Sequence, residues 1–402
     1  MPADNYFNQQ LVGDCVLCYR VLATEGNAAQ IARYLDGRIP AAYSDLENVY
    51  NQIDSLWSVP LAPALNQALN QISPARYDAL TTQSLRLGVL YNEVASQSLY
   101  ARLQEEEGEP SSRLLFAGPV TVLPESDKTS GRRVWGQVVG ANFRDGNAGF
   151  DARASGIFFG TDQRLSSSSL LGFSAGLMRS RLDWRDAGGQ AEIQSAKAGV
   201  HFLWSEANWF VQGGANLGVS QADTRRNIAF GQISRIASAS TKGWEGNIRL
   251  ETGYRLPLEN VRLVPTISLD TFHFHRRAFA ETGADSLNLR VQAVSNHSLR
   301  SVAAIHLSWD SKLRNGQLLT PFLQLGWAHE RSLDGRVITA ALQGEADGFT
   351  VQGNTRRRNA LLFSTGASLV SGRNLSVFAR YQLEHSPNSS GQLLSAGLHY
   401  RF

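Results

Sequence analysis

Residues 244–256 read WEGNIRLETGYRL, and their side chains divide with a period of two. The alternate set that begins at Trp244 is mostly apolar and has aromatic residues at or near both ends. The residues between them carry charges of both signs. Successive side chains of a β-strand point to opposite faces, so the pattern predicts a strand with one apolar and one charged face. The segment is longer than the five or six residues usual for a strand in a soluble sheet.

The same alternation recurs from Arg132 to the C-terminus. We predict twelve strands, near residues 132–142, 150–161, 169–182, 190–204, 208–221, 240–256, 261–276, 297–309, 319–329, 358–370, 374–384 and 392–402. The segments between them are short after even-numbered strands, and several are long after odd-numbered ones, notably 222–240. An even strand number with short turns at one end and long loops at the other is typical of outer-membrane barrels. The prediction is a mainly β fold, a twelve-stranded antiparallel transmembrane β-barrel.

The composition is compatible with this fold, and it argues against a nucleic-acid-binding protein and against a protein with membrane-spanning helices. The 402 residues include 38 Lys and Arg against 35 Asp and Glu, a balance too even to favour a nucleic-acid partner. Mean hydropathy is −0.22, and no apolar run is long enough for a membrane-spanning helix. In an outer-membrane barrel the apolar residues occupy only every second position of each strand, so the mean hydropathy stays low. These values therefore describe a soluble protein and an outer-membrane barrel equally well.

The first 105 residues have a helical pattern instead. Leu46, Val49 and Ile53 share one helix face, and Ser73 followed by Pro74 is a helix start signal. A longer helix of mixed polarity is predicted from there to about Leu103. The predicted units are a helical region at 1–72, a helix at 73–105, a linker at 106–131 and the barrel at 132–402. No secretory leader is recognisable, so we expect a fragment of a larger secreted chain or a reduced member exported differently.

Several motifs carry a family resemblance. They are ALNQISPARYDAL at 68–80, VWGQVVG at 134–140, Glu-Thr-Gly-Ala at 281–284, PFLQLGWAHE at 321–330, the Phe349 and Gly353 pattern, and the terminal Tyr400-Arg401-Phe402. In this order they resemble the translocator unit of classical autotransporters of type V secretion. The resemblance implies that residues 1–72 are a passenger remnant, that the 73–105 helix threads the lumen, and that the C-terminus lies at the periplasmic rim.

Two sets of barrel residues receive expected roles. The charged face of the segment 244–256 predicts a lumen lined by Glu245, Arg249, Glu251 and Arg255, which suits a helix of mixed polarity inside; packing of that helix outside the barrel is the alternative. In the last strand, Leu394, Ala396, Leu398, Tyr400 and Phe402 share one face. By resemblance, this face is the signal that the outer-membrane assembly machinery recognises.

Catalytic motifs are mostly absent from the sequence. No adjacent Asn pair is present, so the residues by which some family members cleave themselves are not carried over, and there is no G-x-S-x-G. His273, His275, His297, His306 and His329 could in principle form an Asp–His or Ser–His pair. A barrel hydrolase would place a lumen or rim His within hydrogen-bond distance of both a Ser or Asp and a further polar partner. We expect no enzyme, no cofactor and no metal site.

Cys15 and Cys18 are the two cysteines of the chain. A thioredoxin-like site needs a βαβ setting and a zinc site needs a second pair, and the sequence offers neither. In an oxidising periplasm the two thiols could close a small local disulfide.

The predicted function is an outer-membrane translocator that exports or anchors its N-terminal passenger at the cell surface. Expected partners are outer-membrane lipid and lipopolysaccharide, the assembly machinery, periplasmic chaperones and the passenger itself, with the protein a monomer. Arg356, Arg357 and Arg358 are candidate contacts to anionic headgroups. A passive porin or adhesin and a barrel hydrolase are the alternatives.

Overall fold

The computed structural model describes residues 18–104, 132–258, 261–313, 317–353, 358–371 and 375–401. Five α-helices come first: α1 Tyr19–Leu22, α2 Gly26–Asp36, α3 Asp45–Asp54, α4 Ala62–Ile72 and α5 Asp78–Gln104. Short 3₁₀ helices span Val59–Leu61, Pro74–Tyr77 and Asp285–Leu287. Among the described residues, no helix has both the length and the apolar character needed to span a membrane.

Twelve long strands follow: β1 Arg132–Asp145, β2 Phe150–Arg164, β3 Ser169–Trp184, β4 Gly189–Glu206, β5 Trp209–Phe230, β6 Ile233–Tyr254, β8 Arg262–Arg276, β11 Val294–Ser308, β13 Leu318–Ser332, β16 Arg358–Ser371, β17 Leu375–Ser386 and β18 Ser389–Arg401. Six short strands lie between them: β7 Leu256–Pro257, β9 Phe279–Ala280, β10 Leu289–Val291, β12 Ser311–Lys312, β14 Val337–Leu342 and β15 Phe349–Gln352.

The twelve long strands form a closed antiparallel barrel. Each pairs with its neighbours along the chain, and β18 pairs with β1 in the register Gln137 to Gly397. Closure leaves the barrel without an open edge, as a membrane-spanning sheet requires. The prediction of a twelve-stranded barrel is therefore confirmed.

Burial alternates along every long strand. In β6, Glu245 is 3% exposed, whereas Trp244 and Ile248 are 44% and 61% exposed. Along this part of β6 the exposed face is apolar and the enclosed face is polar. This arrangement is the reverse of a soluble protein and suits a lipid surround with a polar lumen.

The segment 222–240 is not the predicted loop. Strands β5 and β6 run on through it as a hairpin that turns at Gly231, where φ is +54°. The period of two continues, with Ala222, Ile228 and Phe230 buried. Arg226 hid the alternation in the sequence, because the groups that it meets on the inner face, Glu281 and the Gln71 carbonyl, lie far away along the chain.

The two other long connections also contain structure. Strands β9, β10, β14 and β15 come from the loops after β8 and β13 and form a separate four-stranded sheet. Helices α1–α4 lie at this end, with a core that includes Ile31, Val49, Ile53 and Leu65, all fully buried. We call helices α1–α4 the cap and this end of the barrel the mouth.

Candidate functional site

Helix α5 runs along the barrel lumen. Its side chains from Asp78 to Leu99 are buried on most faces, although many are polar: Gln83 is fully buried, and Thr81 and Ser98 are 2% exposed. The 3₁₀ helix Pro74–Tyr77 precedes it, and the Ser73 hydroxyl accepts a hydrogen bond from the Ala75 amide at 3.2 Å. The helix begins close to where Ser73 and Pro74 predicted it.

Polar side chains join this helix to the wall. Gln83 donates to the Ser180 hydroxyl at 3.0 Å, and Tyr91 donates to the Ser174 carbonyl at 3.0 Å. Asn92 donates to Asp270 at 3.0 Å and accepts from Asn216 at 2.7 Å. Buried polar groups are costly unless they are paired, so these bonds let a polar helix occupy the lumen.

Gly88 brings the helix close to the wall. A Cβ atom at this position would lie 3.1 Å from Phe272 Cε1 and 3.2 Å from Asn247 Oδ1. At the end of the barrel opposite the mouth, Leu99 packs into a buried apolar cluster with Leu170, Leu203, Phe210 and Val264. The helix therefore contacts the barrel wall both in the middle of the lumen and near the end opposite the mouth.

The four residues predicted to line the lumen all lie on the inner face of the barrel or at its end opposite the mouth. Glu245 pairs with Lys197, and Arg249 pairs with Asp270 at 2.8 Å and also with Glu251. Arg255 donates to the Ser205 hydroxyl. Lys197 and Asp270 were not predicted as partners. Each lies at a position whose side chain points inward from its own strand. Which inward-pointing residues come into contact depends on the register between the strands.

The other side of helix α5 faces a charged cavity of about 60 Å³. Arg86 and Arg358 both bond to Asp145, at 2.8 and 2.6 Å, and Arg300 bonds to Glu384 at 2.7 Å. Arg358 therefore points into the lumen and not toward lipid headgroups, which corrects the sequence hypothesis for this residue. Arg356 and Arg357 lie outside the described residues.

A buried ionic cluster holds the start of helix α5 at the mouth. Arg226 binds both carboxylate oxygens of Glu281, at 2.8 and 2.6 Å, and the Tyr77 hydroxyl donates to the same carboxylate. Arg336 pairs with Asp78 at 2.9 Å. Burial and the Glu281 carboxylate raise the pKa of Tyr77 above its ordinary value. Two of the family motifs quoted above, around Tyr77 and Glu281, thus meet in space.

The cap is bonded to the loops around the mouth. The Tyr34 ring lies 4.5 Å from that of Phe349, and Asn27 exchanges two hydrogen bonds of 2.9 Å with the Gln352 backbone. Asp45 accepts from Arg235 at 2.5 Å, and this bond lowers the pKa of Asp45 to about 2. The cap therefore covers the mouth through specific contacts.

The histidines do not converge on one site. His306 faces the lumen and contacts Thr266 at 3.3 Å, and His329 contacts Asn359 at 2.7 Å. On the outer surface, His297 lies 2.9 Å from Asp334 and 2.7 Å from His273. His297 thus meets the distance criterion set for a hydrolase. The described residues provide no hydroxyl or thiol hydrogen-bonded to His297 or His273, and the Ser295 hydroxyl bonds to His275 at 2.9 Å instead.

The remaining predicted residues lie at the chain ends. Leu394 is 62%, Leu398 48% and Tyr400 39% exposed on the outer face of β18, whereas Phe402 lies outside the described residues. Cys18 is buried and disulfide-bonded. Cys15 lies outside the described residues, so its pairing stays a prediction. No group of three or more His, Cys, Asp or Glu side chains in the described part of the chain is arranged to hold a metal ion.

Comparisons with known proteins agree on this architecture. A family model described as autotransporter beta-domain matches residues 134–382. Two solved structures are similar: the translocator domain of autotransporter NalP from Neisseria meningitidis (19% identity, TM-score 0.56, 69% of this chain and 90% of that one) and the beta domain of the Bordetella autotransporter BrkA (17%, 0.52, 68% and 100%). At these identities the likeness concerns the fold.

Two curated relatives from Serratia marcescens are each named extracellular serine protease. The first is 21% identical over 85% of this chain and 31% of its own length, and the second is 21% identical over 68% and 26%. The chain spans less than a third of the length of the curated relatives it matches.

Proposed function

Because this chain belongs to the autotransporter family, whose β-domain forms its barrel, we propose that residues 73–105 remain in the lumen as a plug after export and that residues 1–72 are the retained end of a passenger. The barrel is integral to the outer membrane and is the translocator of the protein. Residues 106–131 would connect the plug to strand β1.

One observation carries the proposal: a single chain runs from the cap through the lumen. Helix α5 starts among the mouth contacts of Tyr77 and Asp78, and its Leu99 lies in the apolar cluster near the other end. Strand β1 begins at that same end, because Arg133 bonds to the Ser98 carbonyl. A passenger exported through this barrel would leave its last segment in the position of α5.

Single-channel conductance in planar bilayers tests the plug. We expect the full chain to be nearly closed and a form lacking residues 1–103 to open a stable pore. Equal conductance of the two forms would contradict a plug and favour the passive porin. Failure of both forms to insert would contradict the membrane barrel itself.

Partners follow from the family in general terms: the passenger segment and the outer-membrane assembly machinery. We propose periplasmic chaperones, outer-membrane lipid and lipopolysaccharide as the specific ones, with the protein a monomer. Leu394, Ala396, Leu398, Tyr400 and Phe402 are proposed as the assembly signal. Support comes from β18, which closes the barrel and presents Leu394 and Leu398 outward.

The β-domain itself is non-catalytic. We propose that the chain as a whole is likewise not an enzyme, and that any activity of a longer protein resides upstream in a passenger.

A barrel hydrolase is the alternative to a non-catalytic β-domain, and the contacts of His297 with Asp334 and His273 are the observation that would support it. Its test is hydrolysis of lipid ester and peptide substrates by the wild type and His297→Ala. Turnover by the wild type that the substitution abolishes would establish the hydrolase. We expect no turnover by either protein.

A further inference from the structure

The outer wall between β1 and β6 carries one continuous apolar row. Successive cross-strand partners along it are Val138, Ile157, Leu177, Ala196, Val219 and Trp244. The five large members are between 41% and 62% exposed. Ala196 is the small residue in the row, and the wall here has a groove of about 1070 Å³. We call this the outer groove.

A polar row lies two residues nearer the mouth. Its cross-strand partners are Ser155, Arg179, Gln194, Gln221 and Lys242. Arg277 joins the row beside Lys242, to whose carbonyl its amide donates at 2.9 Å. The outer groove therefore has an apolar floor and a polar margin, and that margin lies on the side of the cap and the long loops.

The polar margin has an excess of positive charge. Arg179 bonds to Glu192 at 2.7 Å and is 67% exposed. Lys242 and Arg277 are exposed, and neither forms an ion pair with any of the described residues. Cations at the boundary between apolar surface and water attract anionic headgroups, and a guanidinium matches the geometry of a phosphate.

We propose that the outer groove binds a phosphorylated lipid of the outer leaflet. Its acyl chains lie along the row from Val138 to Trp244, and its phosphate contacts Arg179, Lys242 and Arg277. Charge complementarity selects this occupant over a neutral lipid, and the apolar floor selects it over a free anion. The inference rests on the proposed contact with outer-membrane lipid and assigns that contact to one face of the barrel.

Native mass spectrometry of the full-length protein in detergent micelles tests the site. The probes are diphosphorylated lipid A, the same lipid with its phosphates removed, and inorganic phosphate. We expect one diphosphorylated lipid to bind, with affinity at least about tenfold above that of the dephosphorylated lipid. Equal affinity for the two lipids would overturn the proposal, and so would inorganic phosphate binding as tightly as the lipid.

Three variants locate the site. Arg179→Gln, Lys242→Gln and Arg277→Gln together should weaken lipid binding at least about tenfold, and Ala196→Phe should weaken it by filling the floor while it keeps every charge. Arg331→Gln is the matched control, since Arg331 is an exposed cation near the mouth end of β13, on another part of the wall.

Wild-type affinity in the triple variant, or an equal loss in Arg331→Gln, would show nonspecific attraction and overturn the site. All substitutions lie on the outer face, away from helix α5. Conductance of the same variants therefore reports separately on the plug, and either proposal can fail without the other.

Discussion

Glu281 is the residue on which the mouth cluster depends most. Its carboxylate neutralises Arg226, whose side chain is fully buried, and accepts bonds from Tyr77 and the Leu289 amide. A buried pair contributes modestly as a whole, but removal of one partner leaves an uncompensated buried charge. The family motif at 281–284 therefore has a structural role here, in which it fixes the start of the lumen helix.

We predict that Glu281→Gln lowers the free energy of opening at the mouth by about 3–5 kcal/mol, because Arg226 keeps its charge and loses its counter-ion. Hydrogen exchange of the first turn of α5 measures this free energy. Asp347→Asn is the control: Asp347 pairs with Arg38 at 3.4 Å but is 89% exposed, so the expected loss is below about 1 kcal/mol. Similar losses in the two variants would contradict the assigned role.

Asp45 gives the cap a pH dependence. Its hydrogen bond with Arg235 lowers its pKa to about 2 in the folded protein, against about 3.9 in an unfolded chain. The unfolded state therefore binds the proton first as the pH falls. The stabilisation is complete above about pH 4 and disappears as the pH drops toward about 2.

The prediction is that wild type holds the cap more tightly than Asp45→Asn at pH 6 and that the two become equal near pH 2. The difference in hydrogen-exchange protection of α3 between the two proteins is the measurement. It isolates Asp45 from the other carboxylates, which titrate alike in both. A difference that persists unchanged to about pH 2 would contradict the ion pair.

At the scale of elements, helix α5 fits one side of the lumen closely and leaves a cavity on the other. Gly88 faces Phe272 on the close side, whereas Val89 lines the cavity. Interiors have little free volume, so added atoms are tolerated only where space exists. Adjacent positions on one helix should therefore respond differently to enlargement.

Gly88→Leu should push the helix off the wall, cost about 1–3 kcal/mol and raise the single-channel conductance of the full chain. Val89→Leu adds a methylene on the cavity side and should leave conductance at the wild-type level. Unchanged conductance in Gly88→Leu would show that helix position does not control the pore.

The whole molecule has two separate closures, the helix in the lumen and the cap over the mouth. Both closures contact the residues around Tyr77. The cap also has its own contacts with the four-stranded sheet of the loops, such as that of Tyr34 with Phe349. Phe349 is 6% exposed in this interface. Loss of that contact should loosen the cap without moving α5.

Phe349→Ala is predicted to weaken cap docking by about 3–5 kcal/mol, seen as faster proteolysis of residues 19–72, with conductance still low. Tyr43→Ala, at a residue 91% exposed, should behave as wild type. An open pore in Phe349→Ala would mean that the cap seals the barrel.

The sequence predicted the barrel because its evidence is local. A period of two places Trp244 and Ile248 on one face and Glu245 on the other, whatever the strand pairs with. The helix after Ser73 followed in the same way, from its local start signal. Its position in the lumen was predicted from the family resemblance, and the mixed polarity of its residues agreed with that position.

Where the sequence failed, the missing information was long-range. Residues 222–240 carry arginines that make a strand resemble a solvated loop, and Arg226 has an inward role only because Glu281 and Gln71 meet it there. Arg358 was predicted to contact lipid headgroups, because the sequence does not show that Asp145 lies beside it in the folded barrel.

Local periodicity along the chain thus sets the strands, their faces and their number. Register and closure set the partners: Lys197 with Glu245, Asp270 with Asn92, and the apolar row that crosses from β1 to β6. The physical reason is that a side chain's face depends on its own backbone, whereas its contacts depend on the position of every strand around the barrel.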